Sequence, residues 1–246
     1  MKKILRIFGM TIFILLGTAA HSKTLVIGDS LSTLAGNYGS GLAVFLSSRS
    51  RDVACVLAVS GSKFLDWTDT QSPLMSHPRF GASQGTYIYD NQNRKVIGEI
   101  HWTDKSKVHE WSLSKVLKKP QSVCGDRKSF NHLVVQLGSN ENENDESVER
   151  YKNVLELAKR FKVKKVNFIL APRNKGKDFK PFNKMAERQI PLLAREFPNL
   201  DIGVFNSTEN VVIDEEDFRQ GDNDHFWKSK SEDRWLYKTQ EFLAAD

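Results

Sequence analysis

Two polar turns, far apart in the chain, could supply a nucleophile and its base. Ser30 follows the apolar run 24–27 in the turn Gly-Asp-Ser, where a hydroxyl can project above the edge of a sheet. A serine hydroxyl is a poor nucleophile on its own, so it needs a neighbouring base. His225 is the best candidate for that base, and Asp222 could turn back to the imidazole Nδ1 and fix its tautomer. Brought together, these three side chains would perform nucleophilic catalysis.

Three further groups could stabilise a developing negative charge on oxygen. The backbone N–H of Ser30 can face such an oxyanion near a helix start. Gly61 follows a second apolar run and can present its backbone N–H with no side chain in the way. Asn140 follows a third run and can donate from its side-chain amide. The three donors together are typical of an oxyanion hole.

These turns need a scaffold that brings their ends together, and the rest of the chain predicts one. Short apolar runs that end at Gly28, Gly61 and Gly138 are typical of buried strands that end in turns. Between and after them, apolar residues recur at helical spacing. The pattern predicts strands over 24–27, 52–60, 133–137, 166–170 and 202–205, and helices over 39–48, 146–161, 183–197 and 228–243, with a kink at Pro191.

Strands that alternate with helices predict an α/β protein with a parallel sheet of about five strands, covered by helices on both faces. Functional sites in such sheets collect at the carboxyl ends of the strands. The turns that carry Ser30, Gly61 and Asn140 all follow strands at that edge, which is the first indication of function.

A long insertion, about 63–128, follows the second strand and breaks this alternation. Its segments 86–89 and 95–100 flank a polar turn and predict a β-hairpin. Trp67 and Trp102 could stack on sugar rings or, equally, form a small satellite core. Arg173, after the fourth strand, could attract an anionic glycan or belong to a solvated basic loop.

The first 22 residues predict a secretory signal. Lys2, Lys3 and Arg6 form a basic head without an acidic residue, and 7–20 carries no charge. That run is short for a membrane span, which needs about 20 residues. We therefore expect one exported domain, 23–246, in the periplasm or outside the cell, without stable membrane insertion.

Composition narrows the classes further. Hydrophobic residues make up 39% and charged residues 27% of the 246 residues, which is typical of a globular protein. The mean hydropathy of −0.45 excludes a multi-span membrane protein. Loss of the three basic signal residues would lower the formal net charge from +6 to +3. This mild excess suits an anionic polymer and does not imply a nucleic-acid partner.

Cysteine and histidine usage predicts neither a metal centre nor a cofactor. Cys55 and Cys124 would meet an oxidising compartment after export, where they could be bridged or remain two buried thiols. His77, His101, His109 and His132 show no ligand spacing beside cysteines or carboxylates. The reaction set described above needs no cofactor.

The same segments resemble the GDSL or SGNH hydrolase family, in the same order along the chain. The resemblance lies in Gly28-Asp-Ser-Leu-Ser32, in Gly61 of Val-Ser-Gly-Ser, in Gly138-Ser-Asn-Glu141 and in Asp222-Asn-Asp-His225. It implies a flavodoxin-like three-layer α/β/α sandwich and ester hydrolysis through an acyl-serine. It also implies Ser30 as nucleophile, His225 as base, Asp222 as orienting group, and Gly61 and Asn140 in the oxyanion hole. Glu141 departs from the motif, where an aspartate ends the third block, and this bears on support of the Asn140 loop.

The expected activity is that of an exported serine esterase that removes acetyl groups from a cell-wall or extracellular carbohydrate. A lipid or thioester hydrolase with the same catalytic set is one alternative. A glycan-binding module that has lost catalysis is the other, and the intact Ser30, Asn140, Asp222 and His225 argue against it.

Overall fold

The computed structural model describes eleven stretches of the chain: residues 24–33, 55–59, 61–68, 84–90, 95–99, 112–122, 124, 129–141, 148–173, 179–218 and 230–245. The predicted signal (1–22) and the predicted helix 39–48 lie outside these residues. Among the described helices, none combines the length and apolar character that crossing a membrane requires.

A single mixed sheet forms the centre of the described structure. Its strands are β1 (Thr24–Gly28), β2 (Cys55–Val59), β3 (Gln84–Asp90), β4 (Lys95–Glu99), β5 (His132–Gln136), β6 (Lys165–Ile169) and β7 (Asp201–Phe205), in the spatial order β4-β3-β2-β1-β5-β6-β7. The strands β2, β1, β5, β6 and β7 run parallel to one another. Taken alone, these five have the flavodoxin-like order 2-1-3-4-5. The predicted parallel sheet of about five strands is therefore confirmed.

Helices cover both faces of this sheet, as predicted. They are α1 (Ser30–Thr33), α2 (Phe64–Thr68), α3 (Leu113–Lys118), α4 (Glu149–Arg160), α5 (Lys180–Ala194), α6 (Ser207–Asn210) and α7 (Lys230–Ala244), with 3-10 turns at Pro120–Ser122 and Glu215–Asp217. One face packs against α2, α3, α4 and α5, and the other against α7 and the segment after β7. The result is the three-layer α/β/α sandwich.

The central strand shows why these runs fold as buried strands. Leu25 and Ile27 point into the larger core, whereas Val26 between them points into the smaller one. All three are at most 1% exposed. A strand covered on both faces must be apolar at successive positions, and β1 meets this requirement.

The inserted hairpin extends the sheet itself. β3 pairs antiparallel with β2, and β4 pairs antiparallel with β3. The sequence predicted the hairpin, but not that it would join the main sheet. The pairing covers the outer edge of β2, which would otherwise present a row of unpaired N–H and C=O groups.

A disulfide closes the insertion. Cys55, the first residue of β2, is bonded to Cys124, with 5.8 Å between the two Cα atoms. Both residues are fully buried. The bridge fastens the returning end of the insertion to the start of β2, which answers the question that the sequence left open.

Removing this disulfide should lower stability substantially. The bond spans 69 residues, and a loop of that length corresponds to about 4 kcal/mol in the chain-entropy model. We expect the double variant Cys55→Ala/Cys124→Ala to unfold at lower urea concentration, followed by circular dichroism. Wild-type protein unfolded with and without reductant is the control. A midpoint that does not move in either comparison would contradict this account of the bridge.

A part-buried polar contact lies at the same, amino edge of the sheet, where β5 begins. His132 Nε2 lies 2.8 Å from Asn167 Oδ1, and Nδ1 lies 3.4 Å from Thr24 Oγ1. This arrangement fits a neutral imidazole with its proton on Nε2. The pKa of His132 is lowered to about 4, chiefly by burial and in smaller part by the nearby Lys165, while the hydrogen bond with Asn167 and the charge of Asp201 oppose the shift.

Stability should therefore depend on His132 in mildly acidic solution. Below about pH 6.5 the unfolded chain takes up a proton on this residue that the folded protein excludes until about pH 4. Its contribution is fully present above pH 6.5 and is lost as the pH falls through 4. We expect urea unfolding at a series of pH values to show that His132→Gln loses less unfolding free energy than wild type between about pH 6.5 and 4. If the free energy of unfolding varied with pH in the same way for both proteins, this contribution of His132 would be refuted.

Candidate active site

Three turns meet at the carboxyl edge of the sheet. They follow β1, β2 and β5, and Gly28, Ala58 and Gln136 near the strand ends are in register, so the turns start at the same level. β1 lies between β2 and β5, so the chain leaves it toward one side and later returns on the other. This is the topological switch point, where α/β sheets form a crevice.

The carboxylate of Asp29 joins two of these turns. Its Oδ2 accepts hydrogen bonds from Ser139 Oγ at 2.6 Å and from Ser139 N at 3.3 Å. Its Oδ1 accepts from the Leu31 N–H at 3.0 Å, and the Asp29 N–H donates to Gln136 O at 3.2 Å. Burial raises the pKa of Asp29, while the hydrogen bonds from Ser139, Leu31 and Gln136 oppose that rise. The turn after β1 and the turn after β5 are thus held together by one buried group.

The backbone at Ser30 is fixed by the residues on either side of it. Ser30 is the first residue of α1, directly after Asp29. The Ser32 N–H donates to Asp29 O at 3.0 Å, and Ser32 Oγ donates to Gln136 Oε1 at 2.6 Å. A Cβ at Gly28 would come within 2.2 Å of Ser32 Oγ, so glycine is required there. The predicted nucleophile therefore lies on a short, well-anchored turn.

The turn after β2 carries the predicted donor Gly61. Its φ of 78° lies in the left-handed region that favours glycine. The next residue, Ser62, donates from its N–H to Val59 O at 3.1 Å. Ser62 Oγ lies 3.4 Å from Gly28 O and accepts a hydrogen bond from Trp67 Nε1 at 3.1 Å. These contacts tie the Gly61 turn to β1.

The turn after β5 places Asn140 against the Gly61 turn. Asn140 Nδ2 donates to Ser62 O at 3.3 Å and to Ser139 Oγ at 3.2 Å. Gly138 begins this turn with a φ of 123°, and the Glu141 N–H donates to Gly138 O at 3.1 Å. Two of the three predicted oxyanion donors, Gly61 and Asn140, therefore belong to turns in direct contact.

Glu141, the residue that departs from the motif the sequence resembles, supports this loop. Its Oε1 accepts the N–H of Phe64, the first residue of α2, at 2.8 Å. Its Oε2 lies 3.2 Å from a guanidinium nitrogen of Arg150. The longer side chain thus fastens the Asn140 loop to two helices.

The remaining predicted site residues fall into three cases. His225, Asp222 and Trp102 lie outside the described residues. Arg173 follows β6 at the same edge of the sheet and forms a 2.7 Å ion pair with Glu215. Trp67 is fully buried in the main core, so it has no exposed face for a sugar ring, and the predicted substrate contact is corrected to a packing role.

The ends of the segment that contains His225 are fastened to each other. The Ser231 N–H donates to Asp217 Oδ2 at 2.9 Å, and the Asp214 N–H donates to Ser231 Oγ at 2.9 Å. Arg234 also forms an ion pair with Asp214. Because Glu215 pairs with Arg173 after β6, this junction lies at the carboxyl edge of the sheet.

Sequence reasoning missed the groups that hold the site together. Asp29 accepts the Leu31 N–H as a helix cap would, but its bonds to Ser139 join two distant turns and follow from no local pattern. Arg150 lies on the buried face of α4, where its charge was the available signal of a buried partner. A buried arginine is rare unless paired.

Comparisons with known proteins support the fold alone. No family model matches the sequence, and no curated protein matches it significantly. Among solved structures, the chain is similar to a DUF4886 family protein from Bacteroides uniformis, with a TM-score of 0.54 and 13% sequence identity. The match covers 92% of this chain and 83% of the other.

Loss of the Ser139 hydroxyl should weaken the junction of the two turns. The Asp29 carboxylate is fully buried, so Ser139→Ala would remove its shortest hydrogen bond without a replacement from water. We expect a loss of about 1–3 kcal/mol in the free energy of unfolding, measured in urea.

Ser114→Ala is the matched control for this variant. Ser114 is half-buried on α3, and its hydroxyl contacts the Ser112 hydroxyl at 3.4 Å. We expect this change to stay within about 0.5 kcal/mol of wild type. Equal effects of the two variants would show that Asp29 does not depend on Ser139.

Proposed function

We propose that the protein is an exported serine esterase that acts through an acyl-serine. The observation that carries this proposal is the contact between the Asn140 side-chain amide and the turn of Gly61, beside the anchored backbone of Ser30. An amide, a left-handed glycine and a helix-starting serine at one switch point are the donors that acyl transfer requires. The order of these turns along the chain also matches the GDSL or SGNH pattern.

In the proposed first step, Ser30 Oγ attacks the ester carbonyl. His225 takes the hydroxyl proton, while Asp222 holds the imidazole and balances its charge. The carbonyl oxygen becomes an oxyanion, stabilised by the N–H groups of Ser30 and Gly61 and by the Asn140 amide. When the tetrahedral intermediate collapses, the alcohol leaves with the proton from His225, and the acyl group stays on Ser30.

The second step reverses these roles with water. His225 removes a proton from water, which attacks the acyl carbon through the same oxyanion. Collapse releases the carboxylic acid and returns the proton to Ser30. Asn140 donates to Ser62 O and Ser139 Oγ over 3.3 and 3.2 Å, and we expect the substrate oxygen to replace one of these weak contacts.

Two structural features favour the remaining parts of the proposal. The two ends of the segment that contains His225 are joined to each other at the carboxyl edge of the sheet. Ser30 lies at the same edge. The buried disulfide between Cys55 and Cys124 suits an oxidising compartment, which favours export.

We propose an O-acetylated cell-wall or extracellular carbohydrate as the substrate. Export and the mild positive charge favour an extracellular anionic polymer. Acetate release from a panel of acetylated glycans, beside short- and long-chain esters, tests this choice. Preference for a long acyl chain would replace the carbohydrate with a lipid substrate.

Substitution of Ser30 should remove turnover without unfolding the protein. We expect Ser30→Ala to show no hydrolysis of a small acetyl ester while its urea midpoint stays near that of wild type. A serine-directed phosphonate should form an adduct with wild type and not with this variant, detected by mass spectrometry. Wild-type turnover in Ser30→Ala would remove the proposed mechanism, and absence of a wild-type adduct would favour the glycan-binding alternative.

The same assay measures the contribution of Asn140. Loss of one oxyanion donor typically costs a factor of 10² to 10³ in kcat, and we expect about this loss for Asn140→Ala. Asn199→Ala is the matched control, since Asn199 is exposed in the turn before β7, at the opposite edge of the sheet. Similar kcat values for the two variants would exclude Asn140 from the oxyanion hole.

A further inference from the structure

A buried ion pair lies beneath the loop that carries Asn140. Glu141 Oε2 and an Arg150 guanidinium nitrogen are 3.2 Å apart, and the two side chains are only 10% and 7% exposed. Ion pairs elsewhere in the described structure, such as that of Lys152 and Glu196, are far more exposed. The pair at Glu141 is therefore the unusual one and calls for a physical reason.

Aromatic rings enclose the arginine and connect it to α2. The Arg150 guanidinium lies 5.2 Å from the centre of the Phe182 ring and 6.0 Å from that of Tyr151. The Tyr151 ring packs edge-to-face on Phe64 at 5.0 Å. Phe64 is also the residue whose N–H donates to Glu141 Oε1. The start of α4 and the start of α2 thus contact the same carboxylate.

Stability alone does not account for this arrangement. The cost of removing two charges from water can exceed their attraction, and well-packed apolar residues in place of a buried pair are often neutral or stabilising. What the pair provides in addition is a fixed position. One carboxylate oxygen holds the helix that follows Gly61, and the other holds α4, while the backbone of Glu141 is joined directly to Asn140.

We infer that Glu141 is a positioning residue that couples the two oxyanion donors, with Arg150 as its anchor. The inference rests on the proposed esterase function. Movement of the Gly61 turn relative to the Asn140 loop would have to break either the bond to Phe64 or the ion pair. Glutamate suits this task because its carboxylate reaches both Phe64 and Arg150 from one position of the loop.

The test separates position from stability with a double variant. Glu141→Gln or Arg150→Met alone leaves one buried charge without its partner, so we expect both to lose stability. Glu141→Gln/Arg150→Met removes both charges and keeps an amide oxygen that can accept the Phe64 N–H. We expect this double variant to recover most of the wild-type urea midpoint.

Its catalysis should remain impaired. We expect kcat for a small acetyl ester to stay about 10- to 100-fold below wild type, because small misplacement of catalytic groups has effects of this size. KM should change less than about threefold, since the oxyanion contacts act mainly in the transition state. Recovery of kcat together with stability would overturn the inference and leave the pair a purely structural role.

Glu196→Gln is the control, because it removes an exposed ion pair to Lys152 on the same helix α4. We expect its kcat and urea midpoint to match wild type. A loss of kcat as large as that of the double variant would show that the assay reports general disturbance of α4, and the inference would fall.

A wild-type protein without esterase activity would refute the proposed function and not the coupling. In that case, amide hydrogen exchange decides: the double variant should exchange faster than wild type at both 61–64 and 138–141. Exchange that rises at only one of these segments, or at neither, would show that Glu141 does not couple them.

Discussion

The geometry of the candidate site depends on a carboxylate that has been removed from water. Asp29 is fully buried, and burial by itself would favour its neutral form. The surrounding turns supply hydrogen-bond donors to it, which are the Ser139 hydroxyl and N–H on one side and the Leu31 N–H on the other. The group that needs these donors is thereby the group that fixes where the turns after β1 and β5 lie. The hydrogen bonds that compensate for the burial of Asp29 are therefore the same bonds that position the two turns.

The turns around this carboxylate also bind one another. The turn after β2 accepts a hydrogen bond from the Asn140 amide, and Glu141 accepts one from the N–H of Phe64, the first residue of the helix after Gly61. Such reciprocal bonds make the edge a connected unit in place of three independent loops. Rigidity of this kind is what an oxyanion hole requires, because donors that are already in place do not have to reorganise during the reaction.

The sequence predicted what depends on local pattern. Apolar runs that end in glycine gave β1, β2 and β5, and the spacing on 146–161 gave the buried face of α4. It could not predict pairings between distant segments, such as β3 against β2, because strand edges carry no local signal of their partner. The bond between Cys55 and Cys124 also depends on a distance across the fold, so it stayed open until that distance was known.

The same distinction between local pattern and distant contact applies to the residues of the site. Motif order placed Gly61 and Asn140 at one edge, and the structure brings their turns into contact. The contacts of Glu141 could not be predicted from the resembled motif, because its partners Phe64 and Arg150 lie in other elements. For Trp67 the sequence pattern suggested a contact that the structure does not allow. Its position in the insertion was compatible with ligand binding, but the side chain is buried in the main core.

The disulfide also gives the chain a covalent circuit. One path between Cys55 and Cys124 runs along the backbone through the inserted hairpin, and the other is the sulfur bridge itself. A protease that cuts the backbone once between these two residues would therefore leave both pieces in a single molecule. A single cut within the insertion therefore releases no fragment until the disulfide is also reduced.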